Sequence, residues 1–215
     1  MIEARQLTKT FRDKKRGEIH GALDVSFRVE PGTIYGLLGA NGARVIGLFG
    51  ELKAKKRIPF WLEAIRDRGL IDRLRLLTVG TLDPITAAIL DDPAIAPRNL
   101  RLPFCPPEEL AGLYAACDFV ALPSMFEGMP NVLLEAMACG VVPIASDAGA
   151  MGEVIRDGET GFLFTAESRD AAGEATARAL VLDDDALAAM SNAAKQHVSA
   201  EFSLDREIDV LIGLL

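Results

Sequence analysis

The sequence predicts an α/β fold: a doubly wound parallel sheet, preceded by a short β-rich segment. Three observations carry that expectation. From Arg44 onward, short apolar runs of strand length alternate with helical stretches, the rhythm of successive βαβ units. Half of the 215 residues are hydrophobic but only 6% are aromatic, which suits buried parallel strands built from aliphatic side chains. The residues before Arg44 lack that rhythm and alternate at a period of two instead.

Along the chain, Ile2 to Phe11 has mixed alternation and Arg12 to Gly17 forms a charged turn. Leu23, Val25, Phe27 and Val29 share one face of a strand from Ala22 to Val29. Glu30-Pro31-Gly32 marks a turn before an apolar strand from Thr33 to Leu38. Strands are then expected at Arg44 to Phe49, Leu74 to Val79, Asn99 to Leu102, Asp118 to Leu122, Val141 to Ala145 and Gly161 to Phe164. Helices fall between them: near Pro59 to Arg68 with Gly69 as its stop, after Asp83-Pro84 with the aspartate as cap, at Pro107 to Ala116, at Asn131 to Ala138 and at Met151 to Arg156. The tail is helical around Arg169 to Leu182, Asp185 to Ala200 and Leu204 to Leu215. In sheets of this kind a ligand sits at the carboxyl ends of the strands.

Composition narrows the chemistry. A net charge of −8 opposes general affinity for nucleic acid, which needs basic surface. Cys105, Cys117 and Cys139 have no CxxC spacing, and His20 and His197 are the only histidines, so no zinc pattern is present. An odd number of thiols fits a reducing compartment. The opening MIEARQLTKTF carries charge where a signal peptide needs an apolar core, and no apolar run approaches the roughly 20 residues of a membrane span. The expectation is a cytoplasmic protein with no membrane span.

The segment TIYGLLGANGA, with LTKTF and LDVSFRVEPG upstream, resembles the start of an ABC-transporter ATP-binding domain up to its Walker A loop. Such a loop wraps phosphates in backbone amides, and its lysine and hydroxyl reach the outer phosphates and magnesium. Counting from Gly39, the closing glycine, lysine and hydroxyl positions hold Arg44, Val45 and Ile46. The resemblance therefore covers residues 1–43 and stops there, and ATP hydrolysis is not expected, since the groups that carry phosphoryl transfer are missing. The segment is read as a truncated ABC-like β fragment, either a ribbon with Asn41-Gly42 as a turn or one side of a chimeric junction.

The run Pro123-Ser124-Met125-Phe126-Glu127-Gly128-Met129-Pro130-Asn131-Val132-Leu133-Leu134-Glu135-Ala136-Met137-Ala138-Cys139-Gly140 carries more information. A strand ends in a loop where Gly128 permits close backbone approach, and a helix starts near Pro130 with its free amides and positive dipole end facing that loop. That arrangement suits an anion such as a diphosphate. A second stretch, Phe49-Gly50-Glu51-Leu52-Lys53-Ala54-Lys55-Lys56-Arg57, places basic residues after the first parallel strand. A third, Ser146 to Gly161, contains S-D-A-G-A-M-G-E-V-I-R-D-G-E-T-G.

All three resemble the C-terminal domain of group-1 retaining GT-B glycosyltransferases. The first matches P-S-x-x-E-G-x-P-x-x-x-L-E-A-M-A-x-G, the second G-R-L-x-x-x-K-G, and the third S-D-x-G-G-x-x-E-x-I-x-D-G-x-T-G. The resemblance covers residues 44–215 and implies a Rossmann-like domain that binds a UDP-, GDP- or ADP-sugar without a metal. It further implies that Glu127 contacts the donor sugar and Lys56 stabilises the leaving diphosphate, these two being the catalytic candidates. Donor-binding candidates are Gly50, Lys53, Gly128, Met129, Pro130, Asn131 and Val132, with Glu135 accepting from the ribose hydroxyls. Phe104 to Pro106 lie where the base usually rests, with Phe104 equally placed to be core.

Two departures weaken the second match. Glu51 stands at the family's arginine and Arg57 at its final glycine. Glu51 would repel a phosphate unless it points away or pairs with a neighbour. Family members also carry an N-terminal acceptor domain, which residues 1–43 are too few to supply. Donor binding with little transfer is therefore expected of this chain, and the apolar stripe Leu204, Ile208, Leu211 and Leu215 is expected to meet a separate acceptor domain or a second copy. The alternatives are a non-catalytic binding module of the same fold, or an ABC-type ATP-binding protein.

Overall fold

The computed structural model describes residues 2–13, 17–29 and 43–202. It divides into two units, Met1–Gly42 and Ala43–Leu215. In the first, β1 (Ile2–Asp13) pairs antiparallel with β2 (Gly17–Val29), from Ile2 opposite Val29 to Asp13 opposite Gly17. The register shifts three times between Ala4 and Thr10, which accounts for the irregular alternation of Ile2 to Phe11. The expected strand from Thr33 to Leu38, the Walker A-like loop and the helix from Leu204 lie outside the described residues.

The second unit is a sheet of β3 (Arg44–Leu52), β4 (Leu74–Leu82), β5 (Asn99–Leu102), β6 (Phe119–Leu122), β7 (Val142–Ser146) and β8 (Phe162–Phe164). The spatial order is β5-β4-β3-β6-β7-β8, every pair parallel. Between the strands lie helices α1 (Ile58–Asp67), α2 (Pro84–Leu90), α3 (Pro107–Tyr114), α4 (Asn131–Ala138) and α5 (Met151–Val154), with α6 (Arg169–Leu180) and α7 (Asp184–Glu201) at the end. This is the six-stranded Rossmann-like order. It reverses between β3 and β6, and the crevice past the carboxyl ends of those two strands is where such folds bind ligands.

Burial on both faces explains why the central strands β3, β6 and β7 read as near-continuous apolar runs. Ile46 and Leu48 of β3 join Trp61, Leu62 and Ile65 of α1 and Ala175 and Ala179 of α6 in one core. Val45 and Phe49 face the opposite core, with Tyr114, Leu133, Met137 and Val198. Trp61 is fully buried and donates its indole N–H to Thr176 Oγ1 at 3.0 Å, so the largest core side chain loses no hydrogen bond on leaving water. Asp83 caps its helix as the sequence signals, and Ser168 and Asp183 cap α6 and α7 in the same way, each accepting from the backbone N–H three residues on.

The strand entering the sheet is held at its first residues. Arg44 pairs with Asp184 at 2.9 Å and Asp118 at 3.6 Å and donates to Leu182 O. Asp118 Oδ2 accepts from Val45 N at 2.7 Å, and Asp118 N donates to Val45 O at 3.0 Å.

β3 and β4 run three residues further than the sequence suggested. Gly50 and Gly80 are paired across the extension, with φ of +99° and +126°. A methyl on Gly80 would fall 2.1 Å from Gly50 O, while Gly50 has room for one but holds a φ that other residues rarely adopt, so the paired extension past Phe49 favours glycine at both positions. Among the described residues no helix is long and apolar enough to cross a membrane.

Candidate functional site

Two loops leave the sheet at the switch point, one after β3 and one after β6. The β6 side is rigid at its base. Pro123 and Ser124 continue the buried strand, Ser146 at the end of β7 donates to Ser124 O at 2.6 Å, and Ser124 itself is fully buried. The Ser124 hydroxyl then donates to Glu127 Oε1 at 2.8 Å. From the β3 side, Lys56 Nζ donates to the same oxygen at 2.5 Å. Both partners of this ion pair are largely covered, their side chains retaining 15% and 12% of their accessible surface. A backbone bond from Met125 N to Lys55 O, 3.0 Å long, joins the two loops directly.

Burial pushes the Glu127 carboxyl up. Hydrogen bonds from Lys56 and Ser124, with the charges of Lys56 and Lys55, outweigh it and hold the group below its usual 4.5. Glu127 is therefore an ionised carboxylate at neutral pH, and one of its oxygens is already taken twice.

Behind the loop, α4 begins after Pro130 with no side chain capping its first turn. Its leading amides keep their capacity to bind an acceptor, and its dipole places positive potential there. Gly128, Met129 and Asn131 are exposed, Pro130 is buried, and Val132 is half-buried beside Gly50, where a Cβ would lie 3.9 Å from Val132 Cγ2. The loop is closed beneath by Gly149, at φ +60°, where a methyl would fall 1.7 Å from Glu127 O.

The structure thus gathers Gly50, Lys56, Glu127 and Val132 from two separate stretches. Lys53 stands apart, exposed and paired with Glu51 Oε2 at 2.7 Å. That pairing answers the concern over Glu51, whose carboxyl is held low by the Lys53 hydrogen bond and charge, but it uses up a cation. Arg57, where the family pattern has glycine, lies in the left-handed region at φ +51°. It stacks 3.8 Å over the Phe60 ring and donates to Ala166 O, contacts that offset the strain of the left-handed region. Phe104 is 73% exposed and is not core.

Glu135, one turn or more into α4, is exposed and accepts from the Tyr114 hydroxyl at 2.9 Å. Ser124 and Tyr114 were not among the site residues expected from the sequence. Ser124 was legible as the residue three before Glu127 in the motif. Tyr114 had no comparable signal, because its partner lies on another helix. Among the described residues no group of three His, Cys, Asp or Glu is placed to hold a metal ion.

This geometry can be set beside known proteins. The family described as glycosyl transferases group 1 matches residues 43–182. The chain belongs to the group 1 glycosyltransferases. A D-inositol 3-phosphate glycosyltransferase from Corynebacterium jeikeium (strain K411) is 32% identical over 180 residues, 78% of this chain and 42% of the relative. The C-terminal domain of a group 1 glycosyl transferase from Francisella tularensis superposes with a TM-score of 0.64 at 23% identity, covering 75% of this chain and 87% of that one. The Anabaena protein HepE, solved in complex with UDP and glucose, superposes with a TM-score of 0.68 at 23% identity over 81% of this chain and 49% of its own. This group 1 glycosyltransferase chain therefore spans less than half the length of its curated relative, while it spans most of an isolated C-terminal domain.

Proposed function

We propose that residues 43–202 form the donor half of a retaining glycosyltransferase, which binds a nucleoside diphosphate sugar in the crevice between β3 and β6. The observation that carries this reading is the convergence of Lys56, Glu127 and the uncapped start of α4 at the switch point. A cation and a helix N-terminus can accept a diphosphate, and the same groups favour its departure as charge grows on the oxygen leaving the sugar. Glu127 is the group to meet the sugar and Glu135 the ribose. HepE, which shares this fold, was solved in complex with UDP and glucose, which supports a nucleotide as ligand.

The acceptor site is assigned to another domain or subunit, or to a second copy of this chain. The chain alone is expected to bind donor and to transfer little. The Glu51–Lys53 pair, which removes one cation from the loop, favours a second reading in which the fold binds nucleotide without turnover. Residues 1–43 are assigned no nucleotide hydrolysis, for want of a lysine at position 45.

Calorimetry with UDP, GDP, ADP and ATP, with and without magnesium, tests this on the wild type and on Glu135→Ala. The expected result is binding of one diphosphate, indifferent to magnesium and weakened at least tenfold, by about 1.4 kcal/mol, in the variant. Binding that requires magnesium, or that survives Glu135→Ala unchanged, would count against the assignment.

A further inference from the structure

Glu135 does not need a protein partner, since it is exposed and water can serve its oxygens. It has one nonetheless. Tyr114, at the end of α3, is 1% exposed, and its ring lies against Phe49 of β3 with centroids 4.3 Å apart. From that anchored ring the hydroxyl reaches out of the core to Glu135 Oε2 at 2.9 Å. Phe49 is the residue before Gly50, so the ring that fixes Tyr114 belongs to the strand that opens the basic loop.

We propose that Tyr114 is a positioning residue for Glu135: its hydroxyl fixes the carboxylate so that the remaining oxygen sites accept the ribose hydroxyls of the bound nucleotide. The inference rests on the donor-site reading above. A glutamate on an exposed helix face samples several rotamers, and ordering it on binding opposes affinity. A carboxylate offers about four acceptor sites. One bond from a buried phenol selects an orientation and leaves the other sites for a diol. The phenol stays protonated throughout, because burial and then its bond to Glu135 push it well above its ordinary 10. A hydroxyl used only to satisfy core packing has no reason to act on ribose, and that difference makes the inference testable.

The test is calorimetry on the full 215-residue chain with UDP, GDP and ADP, each beside its 2′-deoxy counterpart. Tyr114→Phe keeps the ring and its contact with Phe49, and its melting profile checks that the fold is retained. The wild type should prefer the ribose form of its nucleotide by roughly tenfold. Tyr114→Phe should cut that preference to about two- to threefold, with the 2′-deoxy affinity nearly unchanged. In a Glu135→Ala background the tyrosine substitution should have no effect on the ratio. An unchanged ratio in Tyr114→Phe, or equal weakening of both forms, would overturn the positioning role and leave the donor site standing. No binding of any nucleotide by the wild type would overturn both.

Discussion

Gly149→Ala should destabilise the second unit and disturb the glutamate loop together. The position has φ +60°, and a left-handed backbone costs a non-glycine residue about 1–2 kcal/mol. The new methyl would stand 1.7 Å from Glu127 O, with Glu127 C at 2.8 Å. Both are backbone atoms, so no side-chain rotation relieves the overlap and the loop must move, at about 1–3 kcal/mol for overpacking of this kind. Against that, alanine restricts the unfolded chain and returns about 0.4–1 kcal/mol. The net loss is about 3 kcal/mol, a fall of roughly 6–12 °C in Tm for a domain of this size. The assay is thermal unfolding followed by circular dichroism, with nucleotide calorimetry on the same sample. Gly128→Ala is the control: nothing lies within 4 Å of a Cβ there, so its Tm should hold while nucleotide affinity falls if ligand approaches that backbone. A Gly149→Ala chain melting within about 2 °C of wild type would refute the argument that this contact fixes the loop.

Further outcomes follow from the same site. Because folding lowers the Glu127 pKa below 4.5, its contribution to stability is complete above the ordinary carboxylate range and is lost as pH falls through the lower folded value. Urea melts at pH 7 and below pH 4 should therefore converge between wild type and Glu127→Gln at the acid end, and a constant gap between them would sink the claim. Lys56→Ala should weaken nucleotide binding by about tenfold or more, as expected for a charge-assisted contact, and calorimetry showing equal affinity would remove Lys56 from the site. The Cys117 thiol is pushed up to about 12 by burial and then by Asp118. Peptide mapping after iodoacetamide treatment at pH 8 should find Cys139, which is exposed, labelled well before Cys117.

The alternation of strand and helix was legible because the central strands β3, β6 and β7 bury both faces and so leave near-continuous apolar runs. The Asp83 cap was legible because an aspartate before a proline does locally what its side-chain chemistry allows. The Glu127 loop was legible through its motif. What the sequence concealed are relations between distant residues. The extension of β3 past Phe49 depends on Gly50 meeting Gly80, thirty positions away. The neutralising of Lys53 by Glu51 is two residues long, but either could have pointed elsewhere. The bond from Tyr114 to Glu135 joins two helices whose relative placement only the packed sheet determines. Lys56 and Glu127 are 71 positions apart, and a family pattern pointed to each without saying that they would bind one another.

The fastening of β3 at Arg44 and Val45 has a bearing on how such a domain travels between proteins. Asp118, Asp184 and Leu182, which grip those two residues, all lie downstream of them. The strand that begins the sheet thus takes its alignment from sequence that follows it, and none of these contacts draws on what precedes Ala43. A gene rearrangement that cuts just ahead of that point would carry these contacts with the domain.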